Sequence, residues 1–428
     1  MSRKVGLWYK LAALFLVLAL VVPILAACGD DNNKDKETPT PAATTPAKTT
    51  PAKTTPVAQP TVAPTAATPA LTPTKTVSKE PVKIGVISPY SGPAAMAGLL
   101  ADVAIKVVMN QVEKMGGILG GRSIQLIKYD DKGDVVNTMA GYKKLILEDK
   151  VSAVLFGGGT GATLTAASDA AEENKVPVFS VGSTPGDISG RPYTIRCVYP
   201  NWTEVGNMTA DFVLNKLKPK TVALLCTNDD YGHNIGSLFK KGLEAAGVKI
   251  VYEQYAPQGT IDFTPYLTRI KYEKPDVLIA DLIVQEAYAA VFTQIMGLGG
   301  WGDIKLVTSC AASSPVALKK PAAAEGTYHW VYWAPGLPYP GAKEMEQAYM
   351  ETVGKLPASA SHYYALWVAI KAIELAGSDD PAKIAQAARS GKLQWESPGG
   401  PYTIKPDGTH SNSGQILQCK GGKLVPVE

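Results

Sequence analysis

Residues 154–164 read VLFGGGTGATL, an apolar run that ends in a glycine cluster and passes into a helix-like segment. Gly157, Gly159 and Ala162 satisfy G-x-G-x-x-G/A, the pattern of a dinucleotide-binding loop. A strand, a flexible turn and a helix start together offer unpaired backbone N–H groups and a positive dipole end to an anion. That physics is the same for a pyrophosphate and for a small carboxylate, so position in the chain has to separate them. In a dinucleotide fold the glycines follow the first strand, and an acidic residue about 20 positions on holds the ribose. Here the loop follows the third strand-like run and the matching downstream region is VFSVG. A purely structural glycine turn is the other reading.

Outward from this loop, short β-branched runs alternate with helical stretches, the mark of parallel α/β layers. Strands are expected at 82–88 (VKIGVIS), 123–130, 152–157 and 176–182, with helices at 98–114, 135–148 and 162–174 between them. After YTIRCVYPN (193–201) the rhythm restarts, with helices at 205–217, 235–246, 266–272 and 286–296. The strands of this second run are KTVALLC, VKIVYEQY, PDVLIAD and IKLVTS. Two successive βα runs of this size predict an α/β protein of two doubly wound parallel-sheet lobes. Helices at 345–353, 361–376 and 381–388 have no sheet of their own and are expected to return to the first lobe. The expected division is 82–200 and 334–398 for the first lobe and 201–333 for the second. Residues 399–428 form closing strands of the second lobe or the crossover.

Ahead of the folded part, Arg3, Lys4 and Lys10 precede an apolar run over 11–25, and LAAC ends at Cys28. This reads as a secretory signal over 1–27, too short for a span of roughly 20 apolar residues. LAAC resembles a bacterial lipobox, which makes Cys28 the lipidated first residue of an exported chain held at the extracytoplasmic membrane face. Residues 28–81 are dominated by Thr, Pro, Ala and Lys, with TTPAKTTPAKTTP as their clearest repeat, and are expected to act as a solvated tether. Net charge is +4 and the pI about 8.5; part of that excess sits in leader and tether, so no nucleic-acid partner is inferred. Cys197, Cys226, Cys310 and Cys419 form no C-x-x-C, and His233, His329, His362 and His410 lack H-x-x-x-H spacing. No metal site or cofactor is expected, and pairing among those cysteines stays open.

The ordered series VKIGVISPYSGPAAMAG, MNQVEKMGGILGGRSIQLIKYDD, KKLILEDKVSAVLFG, VPVFSVGST, YTIRCVYPN, VALLCTNDDYGHNIGSLFKKGLEAAGVKIV and DFTPYLTRIKYEKPDVLI resembles the substrate-binding proteins of branched-chain amino acid ABC transporters. The resemblance covers nearly everything after the tether. It implies a type I periplasmic-binding fold, a three-crossover hinge, one small ligand closed between the lobes, a membrane permease as partner and monomeric action.

By that resemblance the first lobe grips a ligand carboxylate with Thr160 and Gly161 of one loop and Gly182, Ser183 and Thr184 of the other. Hydroxyls and backbone N–H groups can satisfy a carboxylate without a buried cation. The opening loop SPYSGPAAMAG, with Ser91, is expected to line the cleft mouth, and Met96 to replace an aromatic wall found near Ala97 in amino-acid binders. In the second lobe Tyr231 matches a ligand-facing family tyrosine, and Trp202 is a further candidate. Amino-acid binders carry an acidic residue after the strand corresponding to KLVTS, whereas here that segment runs Thr308, Ser309, Cys310, Ala311. A buried ammonium without a carboxylate is costly, so Asp281 is the substitute to consider, and a carboxylate or amide lacking an ammonium is the expected ligand. Rival readings are a sensory ligand-binding lipoprotein and an exported hydrolase with Cys310 as nucleophile. The chain has no G-x-S-x-G or H-E-x-x-H to support the last.

Overall fold

The structure, a computed structural model, describes residues 80–92, 94–158, 161–182, 188–412 and 414–427. The readings for the leader, Cys28, the tether, Thr160, Ser183 and Thr184 lie outside the described residues.

The first sheet is built from β1 (Val82–Ser88), β2 (Ile124–Asp130), β3 (Ala153–Phe156), β4 (Val178–Ser180) and β5 (Thr194–Arg196). Helices α1 (Ala95–Lys114), α2 (Val135–Leu147) and α3 (Gly161–Asn174) connect the first four strands. All neighbours are parallel and the order is β2-β1-β3-β4-β5. β1 and β3 are buried almost throughout, which is why they read as continuous apolar runs, whereas the edge strand β2 is half-exposed. The core face of α1 carries Ala101, Ala104, Ile105, Val108 and Val112, a helical spacing.

The second sheet repeats the pattern. It contains β6 (Thr221–Thr227), β7 (Lys249–Ala256), β8 (Val277–Asp281), β9 (Lys305–Thr308) and β10 (Tyr328–Val331). Between them lie α4 (Trp202–Phe212) ahead of β6, then α5 (Asp230–Ala245), α6 (Thr264–Glu273), α7 (Gln285–Gly297), α8 (Ser313–Lys319) and α9 (Pro321–Ala324). The order β7-β6-β8-β9-β10 is that of the first sheet. Helices α10 (Pro340–Val353) and α11 (Ser361–Ala376) then pack against α1, and α11 also meets α12 (Pro381–Ala388).

The sheets differ in one respect from the expectation of parallel lobes. After the two-stranded β11 (Gln394–Ser397) and β12 (Gly400–Thr403), the chain adds β13 (Gln415–Lys420) and β14 (Lys423–Pro426) antiparallel on β10. Gly421 and Gly422 take positive φ at that reversal, and an antiparallel pair needs only such a tight turn. The expected helix over 205–217 is likewise two pieces, because α4 passes into a π-turn at Val213–Leu217.

The chain passes between the sheets after β5, after β10 and after β12. These passages are bonded to one another. Arg196 N–H donates to Gly408 O at 2.9 Å, and Tyr402 Oη donates to Cys197 O at 2.9 Å. From α11, Tyr364 Oη donates to Tyr332 O at 3.2 Å, and between the first and second passages the rings of Tyr199 and Tyr332 meet edge to face at 5.2 Å.

α5 begins five residues earlier than its apolar spacing indicates because Asp229 caps it, Oδ1 accepting from Gly232 N–H at 2.7 Å. A Cβ on Gly232 would lie 1.8 Å from Thr227 O, whereas one on Gly242 of the same helix would meet only Ala210 Cβ at 3.4 Å. Gly232→Ala is therefore expected to destabilise the protein by about 1–3 kcal/mol. Gly242→Ala is expected to be neutral or stabilising by up to about 1 kcal/mol. Urea unfolding of the two variants checks the contrast.

Candidate ligand-binding site

In an open parallel sheet, ligands bind outside the carboxyl ends of the strands where the strand order reverses. That point falls between β1 and β3 in the first sheet and between β6 and β8 in the second. The residues there are Ser88 and Gly157 in one lobe and Thr227 and Asp281 in the other.

On the first side, Gly157 N–H donates to Ile87 O at 2.7 Å. Its carbonyl accepts from His362 Nε2, from the first turn of α11, at 2.6 Å. A Cβ on Gly157 would lie 2.7 Å from Ser88 Oγ and 3.3 Å from His362 Nε2, so the position admits only glycine. Gly158 follows with φ +119°, and Gly161 opens α3. Gly182 is explained by packing, since a Cβ there would be 2.6 Å from Leu164 Cδ1 of α3. Ser91 is exposed, and its hydroxyl donates to Asp130 Oδ2 at 2.5 Å; its proton thus secures the opening loop. Met96 is 64% exposed.

The second side is richer in side chains. Asp281, at the end of β8, is fully buried. Its Oδ2 accepts from Tyr231 Oη at 3.2 Å and from Ser309 Oγ, while Oδ1 is buried without a partner among the described residues. Tyr231 sits in the first turn of α5, half-buried, with the Trp202 ring edge to face at 5.2 Å. Leu282 N–H donates to Tyr288 Oη at 2.9 Å, and Tyr288 Oη donates to Ala280 O at 3.2 Å, which fixes the chain just past Asp281. Burial raises the Asp281 carboxyl to about 6; the bonds from Ser309 and Tyr231 pull the other way, and the charge of Asp229 adds a small further rise. Burial, with the charge of Asp281, pushes the Cys310 thiol up to about 12. Cys310 is therefore a thiol rather than a thiolate near neutral pH.

The structure thus brings Tyr231, Trp202, Asp281 and Cys310 together, and Gly157, Gly158 and Gly161 on the other sheet. Ser309 and His362 had not been singled out from sequence. Ser309 directly follows its strand, which is a usable signal; His362 lies 205 residues from its partner, and nothing local marks it. His329 and His410 are buried, and burial lowers both to about 3. The four described cysteines are free thiols.

Two doubly wound sheets in the same strand order, joined by three bonded passages, define a two-lobed solute-binding protein of the first type. The profile of the periplasmic binding protein family matches residues 81–423, and the chain belongs to that family, on its Leu/Ile/Val-binding-like side. It is 24% identical over 377 residues to Leu/Ile/Val-binding protein homolog 7 of Brucella abortus, covering 81% of this chain and 91% of that protein. A solute-binding protein of an ABC transporter from Rhodopseudomonas palustris BisB5, solved with 3,4-dihydroxybenzoic acid, is 26% identical with a TM-score of 0.68. That match covers 82% of this chain and 96% of that one. The branched-chain amino acid transporter substrate-binding protein LivJ of Streptococcus pneumoniae, solved with isoleucine, shares the fold. There the TM-score is 0.68 at 21% identity, over 80% of this chain and 97% of that one. The family is one of extracytoplasmic binding proteins, and its fold is that of solute binders rather than enzymes.

The buried Asp281 sets a pH dependence. Its folded pKa of about 6 lies above the unfolded value of about 3.9, so the native state holds the extra proton. Its stabilising contribution is complete below pH 4, is lost as pH rises through 6, and is level above that. Asp281→Asn lacks this loss. Its stability relative to wild type is expected to rise by about 1–3 kcal/mol between pH 4 and pH 7, as read by denaturant unfolding at both pH values.

Proposed function

We propose that the protein is the extracytoplasmic solute-binding receptor of an ABC importer, closing two lobes on a small carboxylate-bearing ligand, an amino acid or a related organic acid or amide. The observation that carries this reading is the pairing of two unlike strand-order reversals. One has a glycine turn and helix start suited to an anion. The other has a buried acid with one free oxygen, flanked by a tyrosine and a tryptophan. A ligand touching both lobes has higher affinity for the closed arrangement, and that differential drives closure.

The solved relatives bound to 3,4-dihydroxybenzoic acid and to isoleucine share a carboxylate and differ at the far end. In this chain the far end meets Asp281 and Tyr231, where a ligand hydroxyl or ammonium supplies the donor that Oδ1 lacks. Within this proposal Thr160 and Gly161 of one loop and Gly182, Ser183 and Thr184 of the other grip the ligand carboxylate, and Ser91 and Met96 line the cleft mouth. Trp202 and Cys310 complete the second-lobe wall. The elevated thiol pKa of Cys310 speaks for lining rather than nucleophilic attack. Lipidated Cys28 holds the chain at the membrane, the tether gives it reach, and a permease receives the closed form from a single copy.

Thermal-shift screening of the purified protein against leucine, isoleucine, benzoate, hydroxybenzoates and the matching amides tests the reading. A ligand at 100 times its Kd should add about 2.7 kcal/mol of stability. At least one carboxylate is expected to raise the Tm, and Tyr231→Phe to weaken its binding by roughly 3- to 10-fold in calorimetry. Stabilisation by uncharged solutes alone would remove the anion grip from the account.

A further inference from the structure

We propose that His362 is a positioning residue for the first-lobe turn: by holding the Gly157 carbonyl it selects one orientation of the Gly157–Gly158 peptide and so aims the Gly158 N–H. This rests on the reading that the turn faces a ligand, but the positioning itself is measurable without one.

Two consecutive glycines, Gly157 and Gly158, flank this peptide. Rotating a peptide plane changes ψ of the residue before it and φ of the residue after it, and glycine tolerates both changes at little steric cost. Gly157 cannot gain a side chain to restrict it, because Ser88 Oγ and His362 occupy the space. The plane therefore needs an outside restraint. His362 supplies one: the residue is 3% exposed, and its Nε2 lies 2.6 Å from Gly157 O. A carbonyl only accepts, so Nε2 carries the proton and Nδ1 is the lone-pair nitrogen. Burial lowers the ring to about 4, so it is neutral at pH 7. Because the peptide is planar and trans, a carbonyl drawn toward α11 turns the Gly158 N–H away from that helix. Two buried polar atoms beside the turn, His362 Nδ1 and Ser88 Oγ, have no partner among the described residues. Apart from its Nε2 bond, then, the ring has no described hydrogen bond that would hold it there for another purpose.

The test compares wild type, His362→Gln and His362→Leu, each labelled with 15N-glycine. Gln can offer an N–H close to the position of Nε2; Leu fills similar space and offers none. The Gly158 amide is expected to be rigid in wild type and in the Gln variant, with an order parameter of about 0.85, and to fall below about 0.6 or broaden by exchange in the Leu variant. Whichever of sodium benzoate and isoleucine binds wild type should lose roughly tenfold in affinity in the Leu variant and little in the Gln variant. An unchanged Gly158 amide in the Leu variant, or equal loosening in both variants, would show that His362 only fills space. If the Leu variant does not fold, the wild-type ring decides. An Nε2-protonated tautomer in long-range 1H–15N spectra at pH 7, with a rigid amide in the Gln variant, supports positioning; an Nδ1-protonated ring overturns it. Absence of binding by both probes in wild type would count against the carboxylate reading alone, since the amide comparison does not depend on it.

Discussion

The structure depends on the bonding among its three inter-sheet passages. A parallel sheet cannot be finished locally, because each strand must be re-entered from the same end by a long crossover. Two such sheets in one chain are joined wherever the chain changes lobe. Here those changes come after β5, β10 and β12, and the passages share backbone and phenolic hydrogen bonds at Arg196, Cys197, Tyr332, Tyr402 and Gly408. The phenols matter because a passage has few ladder bonds of its own. Tyr402 of β12 and Tyr364 of α11 each donate to a carbonyl of a passage, satisfying buried backbone groups. Gly399 shows how tight this is, since a Cβ there would stand 2.2 Å from Tyr332 O.

From that constraint the chemistry of the cleft follows. The same order of five parallel strands in both sheets places both reversals at carboxyl ends, and these are where loops can carry polar groups without breaking a ladder. The two ends then differ in kind. On the first, backbone dominates and side chains act mainly by staying small or by bonding carbonyls. On the second, a carboxylate is sunk behind Tyr231 and Ser309, and no cation figures among the influences on its charge. Keeping an acid there costs stability, a cost consistent with a role in recognition rather than in folding.

Much of this was legible in the chain, and the rest was not for identifiable reasons. Strands β1, β3, β6 and β8 could be read because parallel strands are buried on both faces and appear as unbroken apolar runs. β10 was missed: YHWV holds a histidine whose ring nitrogens are satisfied only through Thr308, Ser313 and Thr327, a network invisible to local pattern. It also pairs with β13, far along the chain. Tyr231 was reached through the family resemblance and Asp281 as an acid at a strand end. The free state of the four cysteines was not, because compartment and count permit pairings that only geometry denies.

The opening glycine run marks the limit of motif reading. Gly157 and Gly159 with Ala162 fit a dinucleotide pattern, yet Gly157 is required by Ser88 and His362 crowding its Cα, and Gly158, between the two motif glycines, by a backbone angle of +119°. Neither requirement concerns a pyrophosphate. Glycine in such a turn removes side chains where a packed core approaches, and the conformational freedom it leaves has to be taken up by a neighbour. In this fold that neighbour enters from a helix more than 200 residues later. On the positioning proposed for His362, the orientation of the turn thus resides in a residue that the motif does not contain.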